Sequence, residues 1–232
     1  MRLLLLAATP AEIAPTVTWL RETATATRRD VLQFPKTEIQ LLFTGIGPVR
    51  TAFALGQVLQ GSDRPFLAVQ AGVAGTLDPS LDLGDVVNVT SELFYDDGAE
   101  NTDGSPVNLP AMGFAFAAPF DADGVLRPPG PAGLLPFPQV AGGTAGRATG
   151  SAERIAWIRR HYPEVQVESM EGAAFIYAAL STGVEALQLR SISNRVTPRD
   201  REAWDLPSAI TNLNAALRRV LEPFLQPLDQ AE

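Results

Sequence analysis

The reading of the fold turns on the stretch Met1-Arg2-Leu3-Leu4-Leu5-Leu6-Ala7-Ala8-Thr9-Pro10-Ala11-Glu12. Its apolar run over 3–8 is shorter than the roughly 7–15 residues of a secretory h-region. A short unbroken apolar run stopped by Thr-Pro instead fits a strand buried on both faces of a parallel sheet. Thr9 then caps a helix beginning at Pro10, with proline at the first helical position and Glu12 in the first turn. The expected location is the cytoplasm. No stretch approaches the ~18 apolar residues of a membrane span, so no membrane partner is expected.

Further strand-like runs fall at 39–44, 66–71, 85–91, 165–169 and 186–193, with helical patterns at 10–22, 48–60, 152–161, 172–182 and 207–225. In the second helix Val49, Ala52, Phe53, Gly56 and Leu59 recur at the spacing of one buried face. Strands alternating with helices of this length imply βαβ units and a largely parallel sheet covered on both sides. Residues 104–146 differ: they carry eight of the 19 prolines and little periodicity. That stretch reads either as an interdomain linker or as a long surface excursion. The strands after it are too few for a second α/β core, so one domain over 1–232 with an excursion at about 104–146 is expected.

Composition narrows the chemistry. The chain has 232 residues, no cysteine and one histidine, His161, with a net charge of −8. Disulfides, thiolate metal sites and a cysteine nucleophile are excluded. A Ser-His-Asp triad would have to run through His161, which ends a helix before Pro163. The acidic balance argues against nucleic acid as a partner. Asp96-Asp97 has no third ligand at a suitable spacing and reads as a turn. No metal and no cofactor are therefore expected, and the chemistry falls to carboxylates, amides, arginines and backbone.

Two glycine-rich segments follow predicted strands: Thr44-Gly45-Ile46-Gly47-Pro48 and Gln70-Ala71-Gly72-Val73-Ala74-Gly75. Neither fits the dinucleotide fingerprint, and no Gly-Lys-Ser/Thr exists for a P-loop. Each could be an ordinary tight turn. Two at one edge of a parallel sheet favour a ligand site there.

Taken in order, these segments, with Leu83-Gly84-Asp85-Val86-Val87, Val167-Glu168-Ser169-Met170-Glu171-Gly172-Ala173-Ala174 and Arg190-Ser191-Ile192-Ser193-Asn194, resemble the purine nucleoside phosphorylase/nucleosidase superfamily, most closely its futalosine hydrolases. The resemblance implies a three-layer α/β/α fold with a central mixed, largely parallel twisted sheet. It also implies a small-molecule nucleoside substrate and a homo-oligomer, dimer or tetramer. The reaction implied is hydrolysis of the N-ribosidic bond of futalosine, releasing hypoxanthine and dehypoxanthine futalosine on the futalosine route to menaquinone. Another purine nucleosidase of the methylthioadenosine type, a phosphorylase, or a non-catalytic nucleoside-binding protein are the alternatives.

The resemblance also assigns roles. Glu171 would accept hydrogen bonds from the ribose 2′- and 3′-hydroxyls, with Met170 against the sugar. Glu12 would activate the water, with Gly72 and Val73 beside it. For each glutamate the plain alternative is an acid stabilised by a helix dipole. Asn194 stands where adenine-directed relatives have Asp, and its amide N–H groups suit the N7 and O6 acceptors of a 6-oxopurine. Ala148 and Thr149 would border the base. Ile46 and Trp204 would border the 5′ group, with Arg195, Arg199 or Arg201 pairing its carboxylate. For Trp204 and the arginines, a solvated charged loop anchored by one tryptophan is the competing reading. The phosphorylases have Arg and Ser where this chain has Gln70 and Val73, so water is the expected nucleophile.

Overall fold

A computed structural model describes residues 1–61, 63–128 and 135–225. The opening stretch is a strand, β1 (Arg2–Ala7), followed by helix α1 (Pro10–Thr23). β2 (Ala26–Arg28) and β3 (Val31–Gln33) form a hairpin that leads into β4 (Glu38–Phe43) and α2 (Pro48–Val58). Next come β5 (Leu67–Thr76), β6 (Val86–Phe94), and the short pair β7 (Ala99–Glu100) and β8 (Pro106–Val107). β9 (Gln139–Thr144), α3 (Ala152–His161), β10 (Val167–Ser169), α4 (Gly172–Thr182), β11 (Glu185–Arg195) and α5 (Leu206–Leu225) complete the order.

Nine strands make one mixed sheet in the order β10-β9-β6-β11-β5-β1-β4-β3-β2. β4, β1, β5 and β11 are parallel neighbours. β10 also pairs antiparallel with the far half of β5, so β5, β11, β6, β9 and β10 close into a ring. The flat half of the sheet is covered twice, because Leu3, Leu5 and Ala7 pack with α1 and α5 on one face. Leu4 and Leu6 pack with Leu55 of α2 and Phe175 and Ile176 of α4 on the other. An unbroken apolar strand is what two covered faces require. The ring has its own apolar filling, which includes Ala74, Val87, Val140, Val167 and Ile192.

Three sequence expectations need correction. Gln70–Gly75 is not a turn: all of it lies inside β5, in register with β11 except for a bulge between Ile192 and Asn194. Its glycines serve close approach rather than reversal, as glycine within a strand often does. The excursion expected over 104–146 ends sooner, because Gln139–Thr144 is a sheet strand between β6 and β10; residues 129–134 of it lie outside the described part. The α2 face holds only at its end: Leu59 is buried as expected, but Val49 is 79% and Phe53 68% exposed, while Thr51 and Leu55 are buried in their place. Thr51 tolerates burial because its hydroxyl meets that of Thr44 at 3.1 Å.

Candidate active site

A cavity of about 380 Å³ opens where β1, β4 and β9 end and where the distal half of β5 meets β10 and β11. It gathers Glu12, Ile46, Val73, Ala148, Thr149, Met170, Glu171, Asn194 and Trp204 on one wall system. Gly72 lies just outside this lining. Arg195, Arg199 and Arg201 are also outside it, on the exposed surface. Arg195 is paired with Asp82 at 3.2 Å, and Arg199 docks its backbone N–H on the Gly150 carbonyl.

Each glutamate is held by something other than its own helix dipole. Glu12 occupies N3 of α1, where its Oε2 accepts the Thr9 amide at 2.8 Å and the Thr9 hydroxyl at 3.1 Å. Its Oε1 turns inward and accepts the Val73 amide at 3.4 Å. From the opposite side, buried Asn214 of α5 donates to the Glu12 carbonyl at 2.9 Å and accepts the Thr16 amide at 2.9 Å, which fixes α1 against α5. Glu171 is the N-cap residue of α4, yet its side chain does not cap that helix. Its Oε1 accepts the Gly47 amide at 3.0 Å. Gly47 has a φ of +101°, a conformation open to glycine, and this lets its N–H point at the carboxylate.

Arg190, which the sequence reading passed over as part of a motif, lies between the two. It is fully buried on β11. Its Nη1 is 3.6 Å from Glu171 Oε2 and donates to the Val73 carbonyl, while Nη2 donates to Gln70 Oε1 at 3.0 Å. A Cβ on Gly72 would overlap Nη1 and stand 2.9 Å from Glu12 Oε1. Gly72 is thus the gap through which guanidinium and carboxylate approach. Gln70, at the position where phosphorylases carry a cation, instead supplies an acceptor that orients Arg190. A lone arginine in a charged sequence reads as surface, and only the parallel register of β11 on β5 reveals its burial.

Behind Glu171 is a second carboxylate. Glu92 of β6 accepts Gln188 Nε2 at 2.8 Å and the Thr144 hydroxyl at 3.0 Å. Burial pushes its carboxyl up to about 7, against the Gln188 bond, the charge of Arg190 and the Thr144 bond. It sits directly under the start of α4, where a Cβ on Gly172 would overlap Glu92 Oε1.

The base side of the cavity holds Asn194, whose Oδ1 accepts the Ser193 hydroxyl at 2.9 Å and whose Nδ2 donates to the Arg195 carbonyl at 3.1 Å. One of the two N–H bonds expected to face a purine is therefore committed to backbone, leaving one. Glu168 also lines this side, a residue to which sequence reading assigned no role.

The chain matches the phosphorylase superfamily over residues 2–225. It is 34% identical over 193 residues to a futalosine hydrolase of Streptomyces coelicolor, covering 80% of this chain and 79% of that one. A futalosine hydrolase of Thermus thermophilus is 31% identical, with 78% and 80% covered. Among solved structures, the 5′-methylthioadenosine/S-adenosylhomocysteine nucleosidase of Neisseria meningitidis, in complex with methylthio-immucillin-A, superposes with a TM-score of 0.76 at 21% identity. That superposition covers 96% of this chain and 99% of the other.

Proposed function

Since the chain belongs to the phosphorylase superfamily, we infer that it is an N-glycosyl hydrolase that releases hypoxanthine from futalosine. The observation that carries the reading is that Glu12, Glu171 and Asn194 line one cavity, with the buried guanidinium of Arg190 paired to Glu171 at 3.6 Å.

Cleavage of an N-ribosidic bond passes through an oxocarbenium-like sugar. Glu171, already fixed through Oε1, has lone pairs left to accept from the ribose hydroxyls. Met170 supplies the apolar side of the sugar site, and Ile46 borders the 5′ group. Glu12 takes the proton of the attacking water, with Arg190 and the backbone of Val73 holding that water in line. The guanidinium is paired with Glu171 and bonded to Gln70 and the Val73 carbonyl, so its charge is already engaged rather than open to a phosphate dianion, and water is the nucleophile. Asn194 donates to the departing base. Trp204 gives the 5′ aromatic chain a stacking partner. With Arg195 occupied by Asp82, the substrate carboxylate falls to Arg199 or Arg201.

The protein works as a homo-oligomer in this reading. Ile46, Val49 and Phe53 form an exposed apolar stripe along the start of α2, and Ile46 also lines the cavity. Burying such a stripe favours self-association.

Incubation with futalosine or inosine, with and without phosphate, and chromatography of the products tests the function. Hypoxanthine should appear from futalosine at a rate independent of phosphate. A phosphate requirement, or faster release of adenine from adenine nucleosides, would overturn the reading.

A further inference from the structure

Helix α1 carries Glu12 on a turn that its own sequence weakens. Pro15 lies inside the helix and has no N–H to give the Ala11 carbonyl, so one rung is missing from the turn that holds Glu12. In a regular helix the next rung joins the Thr16 N–H to the Glu12 carbonyl. The Asn214 side chain bridges those two groups: Oδ1 accepts the Thr16 N–H at 2.9 Å, and Nδ2 donates to the Glu12 carbonyl at 2.9 Å. An amide from α5 thus spans one rung of α1, at the residue whose side chain lines the cavity.

Asn214 is 3% exposed, on a face of α5 whose other buried positions, Ala209, Leu213, Ala216 and Leu217 among them, are apolar. A buried amide is tolerated where its donors and acceptors are used. Here all are in use, since Oδ1 also accepts the Thr16 hydroxyl at 2.6 Å and Nδ2 also donates to the Ile210 carbonyl at 2.7 Å. Turning the amide over would set its oxygen against two carbonyls, so its orientation is fixed. Leu206 and Ile210 of α5 line the cavity, as does Ala11 of α1. The network therefore ties a cavity-lining turn of α5 to the backbone of Glu12. Packing two helices together needs no amide, because a leucine fills the same space. What the amide adds is a donor aimed at the Glu12 carbonyl.

We propose that Asn214 is the positioning residue of the general base, setting the Glu12 backbone so that the carboxylate meets the attacking water. The proposal rests on the reading of Glu12 as that base. Asn214 touches no reacting atom and acts through Glu12. A small displacement of a catalytic group costs turnover more than ground-state binding. The ribose carboxylate in this scheme, Glu171, stands at the start of α4 and is held by the Gly47 amide, so it keeps its place when α1 shifts.

The test is a cycle of Asn214→Leu and Glu12→Gln, read by steady-state kinetics with futalosine and by thermal melting, with Thr16→Val as the comparison. Asn214→Leu keeps the bulk between the helices and loses the bond to the Glu12 carbonyl. Its kcat should fall by about tenfold to a hundredfold, with KM held within about twofold. In the Glu12→Gln background the same change should lower kcat by less than about twofold. Thr16→Val loses the 2.6 Å bond to Oδ1 and keeps the bond to the Glu12 carbonyl, so it should lower the thermal midpoint and leave kcat unchanged. Equal falls in kcat in the two backgrounds overturn the proposal, as does a kcat kept by Asn214→Leu. So does a tenfold or larger loss of kcat, about what Asn214→Leu should show, in Thr16→Val, a result that stands even where Asn214→Leu does not fold. Full kcat in Glu12→Gln alone would instead sink the reading of Glu12 as the base, and this proposal with it.

Discussion

Gly47 donates its backbone N–H to Oε1 of Glu171 at 3.0 Å, a bond that spans 124 residues of chain. The first glycine turn therefore acts as a fixed support for the carboxylate proposed to hold the ribose. Replacing Gly47 by Ala puts a side chain at φ +101°, which costs about 1–3 kcal/mol and turns the amide away. The expected result is a lower thermal midpoint and a rise of about tenfold in KM for the nucleoside, read by steady-state kinetics.

Glu12 turns one oxygen to Thr9 and the other to the Val73 amide at the cavity, where it is proposed to act as the base. Glutamine at the same position can still accept the Thr9 amide, as capping-box residues do. Glu12→Gln should therefore leave the melting temperature within a few degrees and lower kcat by about 10²–10⁴. A variant that unfolds, or that keeps its kcat, contradicts the assignment.

Arg190 is a buried charge whose two terminal nitrogens meet Val73, Glu171 and Gln70. Arg190→Met leaves the carboxylate of Glu171 uncompensated and should destabilise the fold by about 3–5 kcal/mol in chemical denaturation. Arg190→Lys keeps the charge but loses the fork that reaches Gln70 and Glu171 together. It should retain more stability than the methionine variant while remaining nearly inactive.

How much of this was legible in the chain depends on whether local pattern and burial agree. β1 could be read because its two covered faces demand the unbroken apolar run that the sequence carries, and α3 and α4 fall at the residues their periodicity predicts. β5 was half-read: Gly72 and Gly75 look like turn signals, and only Arg190 and Asn194 pressing on them explain glycine in mid-strand. The apolar stripe on α2 has a helical period, but period does not say which side faces the sheet. Glu12, Glu171 and Asn194 were found through their motifs and meet at one cavity. Arg190 and Glu168 were not singled out, because a charged residue shows its burial only once distant strands pair across it.

Glu92 gives the fold a pH signature. Its carboxyl lies near 7 in the native state against 4.5 for an ordinary glutamate, so the native state holds this proton more tightly than the unfolded chain. Its contribution to stability is complete below about 4.5 and is lost as pH rises through about 7. Compared with Glu92→Gln, the unmodified protein should lose more of its melting temperature between pH 5 and pH 8. Parallel pH profiles would show that Glu92 does not titrate in this way.

Trp204 is half-buried and lines the cavity, where it is proposed to face the 5′ group. Trp204→Ala should raise KM for futalosine by about tenfold, the worth of one aromatic stacking contact, and leave that for inosine nearly unchanged. Equal effects on the two substrates would make the ring a loop anchor only.

The ring closed by β10 upon β5 has a mechanical meaning. Asn194, Gly75 and Glu168 stand on three strands that are hydrogen-bonded side by side, and each strand of that ring has a neighbour on both sides. The backbone spacing at this end of the cavity is thus held from both sides. Adjustment to a varied substrate is left to the segments outside the ring, the turn at Ile46 and the arginine-bearing stretch before Trp204. Amide exchange should be slowest at Gly75 and its ladder partners and fastest in those two segments, so that one end of the cavity behaves as a gauge of fixed aperture and the other as a compliant sleeve.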